Sequence, residues 1–313
     1  MRFVFGWIPF SVGDIFYTLA ALYLIRWLWK NRSRIIKDTL LWSRDVLIVI
    51  SLVYFAFHLL WGMNYYRLPL HQKLEIGYEY TTEELIEAAD QLIDSANDFH
   101  QAIEANDTVK ISMPYTKSEL LDKVAIGYKN LEKTHPDLDP FPMSLKRSIY
   151  SIPLTYMGFG GYLNPFTNEA QIDGIVPLHK YPSTGSHELA HQIGYAAENE
   201  ANFIGFLACL AHDDPYYKYS GAIFGLKYCL IELARRDETA FKQARDKVRI
   251  GILANYDEER EFWMSYQNPL EPFFKDTFDT FLKANSQRDG IESYSYVVAL
   301  IVNSFKADTQ KLK

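Results

Sequence analysis

The sequence predicts a mainly α protein with a small β-sheet, preceded by two transmembrane helices. Three observations carry this. Two strongly apolar stretches lie within the first 62 residues. Most of the remaining chain repeats its apolar positions at helical spacing. A short run at 144–182 is instead β-rich and broken by glycine and proline.

The first apolar stretch, from Ile15 to Ile25, reads IFYTLAALYLI; the second, from Val46 to Trp61, reads VLIVISLVYFAFHLLW. Each is a little shorter than the ~20 residues that span a bilayer. Flanking Arg26, Trp27, Trp29 and Trp61 extend them, because tryptophan and snorkelling arginine sit well at the interface. Spans are therefore expected at about 12–29 and 45–62. Between them, Lys30, Arg32, Arg34, Lys37 and Arg44 make a basic loop, which the positive-inside rule places in the cytoplasm. Residues 1–62 read as a multi-pass anchor in the cytoplasmic membrane, in contact with the lipid bilayer, and the chain beyond lies outside the cytoplasm. Asp14 interrupts the first stretch and no basic region precedes it, which argues against a cleaved signal peptide. With the loop inside, the start of the chain lies outside, and a longer N-terminus carrying a further span is expected.

Residues 63–80 read as an irregular linker, and 81–313 as one domain. A helix starts at Thr81, whose spacing to Glu84 is that of a capping box. Leu85, Ala89, Leu92, Ala96, Phe99 and Ile103 then share its buried face. Another helix is expected at 118–133, stopped by Pro136. A strand pair comes next, roughly 159–163 and 169–176, with turns at Gly160-Gly161 and Asn164-Pro165. Further helices are expected at 198–212, 218–235, 237–254 and 291–305.

Composition narrows the function. The chain is 48% hydrophobic and 15% aromatic over 313 residues, which excludes a disordered protein. A net charge of -7 and the lack of a basic run beyond the loop exclude nucleic acid as a partner. Cys209 and Cys229 are too few for a disulfide framework and read as buried small hydrophobes.

The chemistry concentrates in SHELAHQIGYAAENEANFIGFLAC, residues 186–209. His187 and His191 stand one helical turn apart, so both imidazoles can reach one ion. Glu188 is rotated about 100° from His187 and suits a base that holds water at a metal. A catalytic zinc needs a third protein ligand. On an unbroken helix Glu198 would lie about 10 Å along the axis from His191, far beyond a ~2 Å bond. Gly194 offers the break, as a left-handed helix terminator from which a second helix can start.

On that second helix Glu198, Asn202, Gly205 and Cys209 share one face, which is small and polar. Glu200 lies about 200° from Glu198, with the apolar Phe203, Ile204 and Leu207. Glu198 is the favoured ligand and Glu200 the alternative, while Asn202 is placed to hydrogen-bond a ligand from outside the coordination sphere.

HELAH with ENEAN resembles the gluzincins, metallopeptidases in which His-Glu-x-x-His is followed by Glu-x-x-x-Asp on a second helix. The wider set FGWIPFSVGD, WGMNYYR, NPFTNEAQID, SHELAHQIG and ENEANF is similar to an uncharacterised family of bacterial membrane proteins assigned to the zincin-like group. The resemblance covers nearly the whole chain. It implies a zincin-like α+β catalytic domain at 81–313, one Zn2+ per chain, and a bacterial inner-membrane anchor. Two departures stand out. Asn202 replaces the usual terminal Asp, and the interval from His191 to Glu198 is much shorter than in familiar gluzincins.

On that reading the protein is a membrane-anchored zinc metallopeptidase hydrolysing peptide or protein substrates outside the cytoplasm. Zinc sits on His187, His191 and Glu198, and Glu188 serves as acid and base. Substrate would add as a strand beside Glu169 to Ile175. Tyr219 is the first candidate to stabilise the oxyanion, with Tyr195 and His212 behind it; His179 has no spacing argument. Two other functions stay open. One is a catalytically silent, structural or sensory zinc site closed by a fourth ligand; the other is a zinc amidase acting on cell-wall material.

Overall fold

The computed structural model describes residues 2–285, 287 and 296–311. Helices of seven residues or more among them are numbered here in chain order. They are α1 (Val12–Asn31), α2 (Thr39–Leu60), α3 (Thr82–Ile103), α4 (Lys117–Leu131), α5 (Ser151–Met157) and α6 (Tyr181–Gln192). They continue with α7 (Glu198–Leu210), α8 (Pro215–Arg236), α9 (Glu238–Asp246), α10 (Ile250–Ser265), α11 (Glu271–Ala284) and α12 (Val297–Lys311). The strands are β1 (Leu145–Arg147), β2 (Gly161–Asn164) and β3 (Glu169–Ile172). The protein is mainly helical with one small mixed sheet.

The two-span expectation is corrected to one. Among the described residues only α2 is long and apolar enough to cross a membrane. α1 is long enough, but Asp14, Arg26 and Lys30 lie within it. Its first turn, moreover, is embedded in the protein. Asp14 is fully buried, and its carboxylate accepts from the Ser148 hydroxyl (2.9 Å), the Ile149 N–H (2.8 Å) and the Tyr162 hydroxyl. Glu169, also fully buried, accepts from the Gly13 N–H at 2.6 Å and pairs with Lys146. A buried carboxylate persists only with such partners, because desolvation penalises its charge heavily. These bonds tie residues 2–14 to the sheet, across the expected division between anchor and domain.

α1 leaves the sheet and α2 returns toward it. At their far ends Trp27 stacks on Trp42 and Arg34 pairs with Asp45 at 2.9 Å. The segment after α2 is not irregular. It makes a 3₁₀ turn at Gly62–Tyr66 and a short helix at Leu70–Lys73, with Leu70 fully buried.

The sheet has one more strand than expected. Its order is β1-β3-β2, with β3 parallel to β1 and antiparallel to β2, Gly161 opposite Ile172. All four residues of β3 are buried and both its edges are paired. The expectation that substrate adds along Glu169 to Ile175 is therefore corrected: β1 and β2 are the edge strands.

α3 has the expected capping box at Thr81 and Glu84, and Leu85, Ala89, Leu92 and Ala96 are buried along it. The single helix expected at 237–254 is two helices. Asn97 of α3 explains the break, since its amide bonds the Lys247 carbonyl (2.9 Å) and the Arg249 N–H (3.0 Å) and so satisfies groups a helix would have paired. α5 and α11 have no counterpart among the expected elements. Of the helix expected at 291–305, residues 291–295 lie outside the described residues. Cys209 and Cys229 are free and fully buried. α6 occupies the centre, packed on the sheet on one side and on α7 and α4 on others.

Candidate metal centre

α6 carries HELAH and stops where Gly194 permits. Gly194 has φ +92, and the helix closes with the Gly194 N–H on the His191 carbonyl (2.9 Å) and the Tyr195 N–H on the Ala190 carbonyl (3.1 Å). This is a Schellman termination, in which a left-handed residue lets the last carbonyls find donors. A Cβ at Gly194 would also lie 2.5 Å from Nη1 of Arg67, so glycine answers both backbone and space. The chain reverses and α7 begins at Glu198. Gly205 then lets α7 approach closely, since a Cβ there would meet the His187 backbone N at 2.9 Å.

The reversal delivers the Glu198 carboxylate to both imidazoles. Glu198 Oε2 lies 3.3 Å from His187 Nε2 and 3.6 Å from His191 Nε2. Together these three side chains offer atoms that lie within 4.8 Å of one another and could hold a metal ion. His191 Nδ1 is 2.7 Å from the Tyr195 carbonyl. A carbonyl only accepts, so Nδ1 carries the proton and Nε2 keeps its lone pair for a ligand. Two imidazoles and one carboxylate suit a divalent transition-metal ion.

Charge is concentrated here. Burial resists ionisation of both His191 and Glu198, yet their mutual attraction prevails: His191 is raised and Glu198 held well below the usual carboxylate range. Glu188 behaves oppositely. Burial pushes it up to about 7, Glu198 adds to that, and the two histidines pull against it. Its Oε2 has no hydrogen-bond partner among the described residues.

His187, Glu188, His191, Glu198 and Asn202 all border one cavity of about 820 Å³. Asn202 stands one turn after Glu198, and its buried Nδ2 has no hydrogen-bond partner among the described residues. Glu200 points elsewhere: its Oε1 accepts from the Leu70 N–H at 2.6 Å, and burial raises its pKa against that bond and Arg67. Arg67 donates to the Ile193 carbonyl (2.9 Å) and lies over the Tyr195 ring. The segment after α2 is thus strapped over the Gly194 turn.

The fold does not bring the expected oxyanion candidates to the cavity. Tyr219 is fully buried and donates to Asn255 Oδ1 at 2.7 Å. The Tyr195 hydroxyl faces Lys73 at 3.5 Å, His212 stacks on Tyr217, and His179 faces Glu258. Tyr65 borders the cavity instead. Burial raises its hydroxyl pKa, with nearby Glu198 adding, so the group stays a donor. Its position within WGMNYYR was visible, but no spacing rule links it to residues more than a hundred positions away.

The fold and the site define a mainly helical protein with a buried His-His-Glu group able to hold a metal, joined to one membrane-length apolar helix. Residues 1–302 match a family described as a protein of unknown function, DUF3810, and the chain belongs to that family. No curated protein and no solved structure matches it.

Proposed function

We propose that the protein is a membrane-anchored zinc metallopeptidase acting outside the cytoplasm. One observation carries this reading: His187, His191, Glu198 and Glu188 border the same cavity, and Glu188 keeps one carboxylate oxygen without a hydrogen-bond partner among the described residues. Among the described residues no fourth His, Cys, Asp or Glu joins the group, which favours a site with a free coordination position over a closed structural one.

His187, His191 and Glu198 hold the ion, and Glu200 anchors the strap. When bound, a zinc ion supplies Lewis acidity to a carbonyl and to water. Glu188 takes the proton from water as its oxygen adds to the carbonyl carbon. Its place beside the ligands on α6 suits both accepting and returning a proton. As the C–N bond breaks, Glu188 gives the proton to the leaving amine. Tyr65 supplies a hydrogen bond to the developing oxyanion. An extended peptide adds to the edge of β2, whose Gly161 and Tyr162 border the cavity.

α2 supplies the anchor, and the sheet with the metal group lies outside the cytoplasm. The test is metal content and peptide hydrolysis of the full chain in detergent, since the bonds to Asp14 and Glu169 make truncation before the linker unsafe. About one zinc per chain, lost in Glu198→Ala and kept in Glu200→Ala, together with peptide cleavage is the expected result. A parent chain that takes up no zinc overturns the proposal. Cleavage of cell-wall material with no action on peptides would reassign the substrate to a non-peptide amide.

A further inference from the structure

The cavity is bordered both by the metal group with Glu188 and by Tyr17 of α1 and Phe57 of α2. Phe57 lies in the last turn of the membrane-length helix, where Phe55, Leu59 and Leu60 are exposed. Exposed apolar side chains also lie beyond α1 and α2. Ile149, Ile152 and Tyr156 around α5, and Leu270 and Phe273 at the start of α11, all face outward. Asn268 links the two groups by donating to the Tyr156 carbonyl at 2.7 Å. α5 and α11 also border the cavity, through Leu154 and Met157 and through Phe278 and Phe281.

An exposed apolar rim of this extent marks a surface that meets lipid or a partner. Phe57 of α2 meets Phe281 of α11 at a ring-centroid distance of 5.9 Å, so this rim adjoins the membrane-length helix and lipid is its favoured neighbour. Aromatic residues also cluster beside the cavity, with Tyr17 stacked on Tyr162 and edge-on to Phe166; Tyr is a residue type that favours a membrane–water boundary. Among the described residues, apart from the metal group and Glu188, the charged cavity residue is Lys275, which is paired with Glu271 at 2.6 Å.

Resting on the peptidase reading, we propose that the substrate is itself a membrane-anchored polypeptide, cut at a bond just outside the bilayer. Its membrane-proximal apolar residues pack against the wall made by Phe57, Phe278 and Phe281, and its polar outer segment runs along β2 past Glu188. Such residues pass from lipid into the cavity without meeting water, whereas a polar soluble peptide loses hydration on the same wall. The hydrolysis is unchanged: water adds to the carbonyl carbon, the C–N bond breaks, and the amine takes the proton.

Binding tests this separately from catalysis. Full-length Glu188→Gln protein is reconstituted in vesicles of phosphatidylethanolamine and phosphatidylglycerol with labelled peptides, and binding is read by energy transfer. One probe joins an apolar membrane helix directly to a polar segment; a second inserts a Gly/Ser spacer at the junction; a third is the polar segment alone. Both anchored probes have the same membrane concentration, so a difference between them reports the cavity. The direct probe should bind about tenfold more tightly than the spaced one. Phe281→Ser should remove most of that preference and Phe281→Leu keep it, with zinc content unchanged in both. Equal binding of the two anchored probes, or a soluble segment that binds as tightly as the direct probe, overturns the proposal. A preference that persists in a chain without zinc or hydrolysis would remove the peptidase reading and leave the cavity as a receptor for anchored polypeptides.

Discussion

A Cβ on Gly161 would lie 2.5 Å from Oε1 of Glu188 and 2.6 Å from the Gln171 carbonyl oxygen. The edge strand therefore touches the proposed base, and no room exists there for a methyl group. Backbone on one side and carboxylate on the other leave Glu188 as the group that can move.

Gly161→Ala should accordingly displace Glu188 while sparing the ligands. Zinc content should stay near that of the parent, and kcat should fall on the order of 10²-fold, the usual effect of misplacing a reacting group by about 1 Å. Unchanged kcat would show that this contact does not position the base.

Glu188→Gln removes the proton acceptor and keeps nearly the same volume. Hydrolysis should fall by about 10²–10⁴-fold with zinc retained. Metal analysis beside a peptide-cleavage assay checks both halves, and a variant that cleaves normally excludes Glu188 from the chemistry.

Asp14→Asn tests whether the first helix belongs structurally to the sheet. The carboxylate accepts from Ser148, Ile149 and Tyr162, and an amide would turn a donor toward one of them. Denaturant unfolding in micelles should show a loss of roughly 1–3 kcal/mol, with Tyr162→Phe costing less. No loss would mean that α1 is only attached to the domain by chain connection.

The acid limit of stability should depend on Glu259. Burial alone would raise its pKa, but Lys180 at 3.4 Å and Lys227 at 3.0 Å outweigh that and hold it at about 2. A carboxyl lowered on folding stabilises above its unfolded pKa, and this is lost as pH falls toward the folded value. Burial also pulls Lys180 below its ordinary range, which returns part of the gain. Glu259→Gln should therefore cost roughly 2 kcal/mol near pH 7. The gap to the parent should narrow from about pH 5 downward, measured on metal-free protein by chemical unfolding. A gap independent of pH would assign the loss to packing.

Much of the candidate site was legible because its rules are local. His187 and His191 are one turn apart on any helix, Gly194 is the residue that ends a helix left-handed, and Glu198 with Asn202 and Gly205 form one face of the next. The capping box at Thr81 and the buried stripe of α3 are equally short-range. Where distant groups compete, the sequence was insufficient. Asn97 divides a helix that periodicity would have continued. Tyr219 has the right chemistry for an oxyanion donor, but Asn255 claims its hydroxyl.

By itself, then, the sequence determined the helix carrying the histidines, the turn after it, and the apolar character of Thr39–Leu60, all set by spacing within a few residues. Only the tertiary structure decided that Gly13 meets Glu169 across 156 positions, that Glu200 is taken by Leu70, and that β3 lies inside the sheet rather than at its edge. It also joined Tyr17, Phe57 and Phe281 to the metal group around one cavity. The physical reason is that side-chain periodicity sets which face of an element is apolar, whereas the partner of that face is chosen by packing and by the demand that every buried polar group be paired.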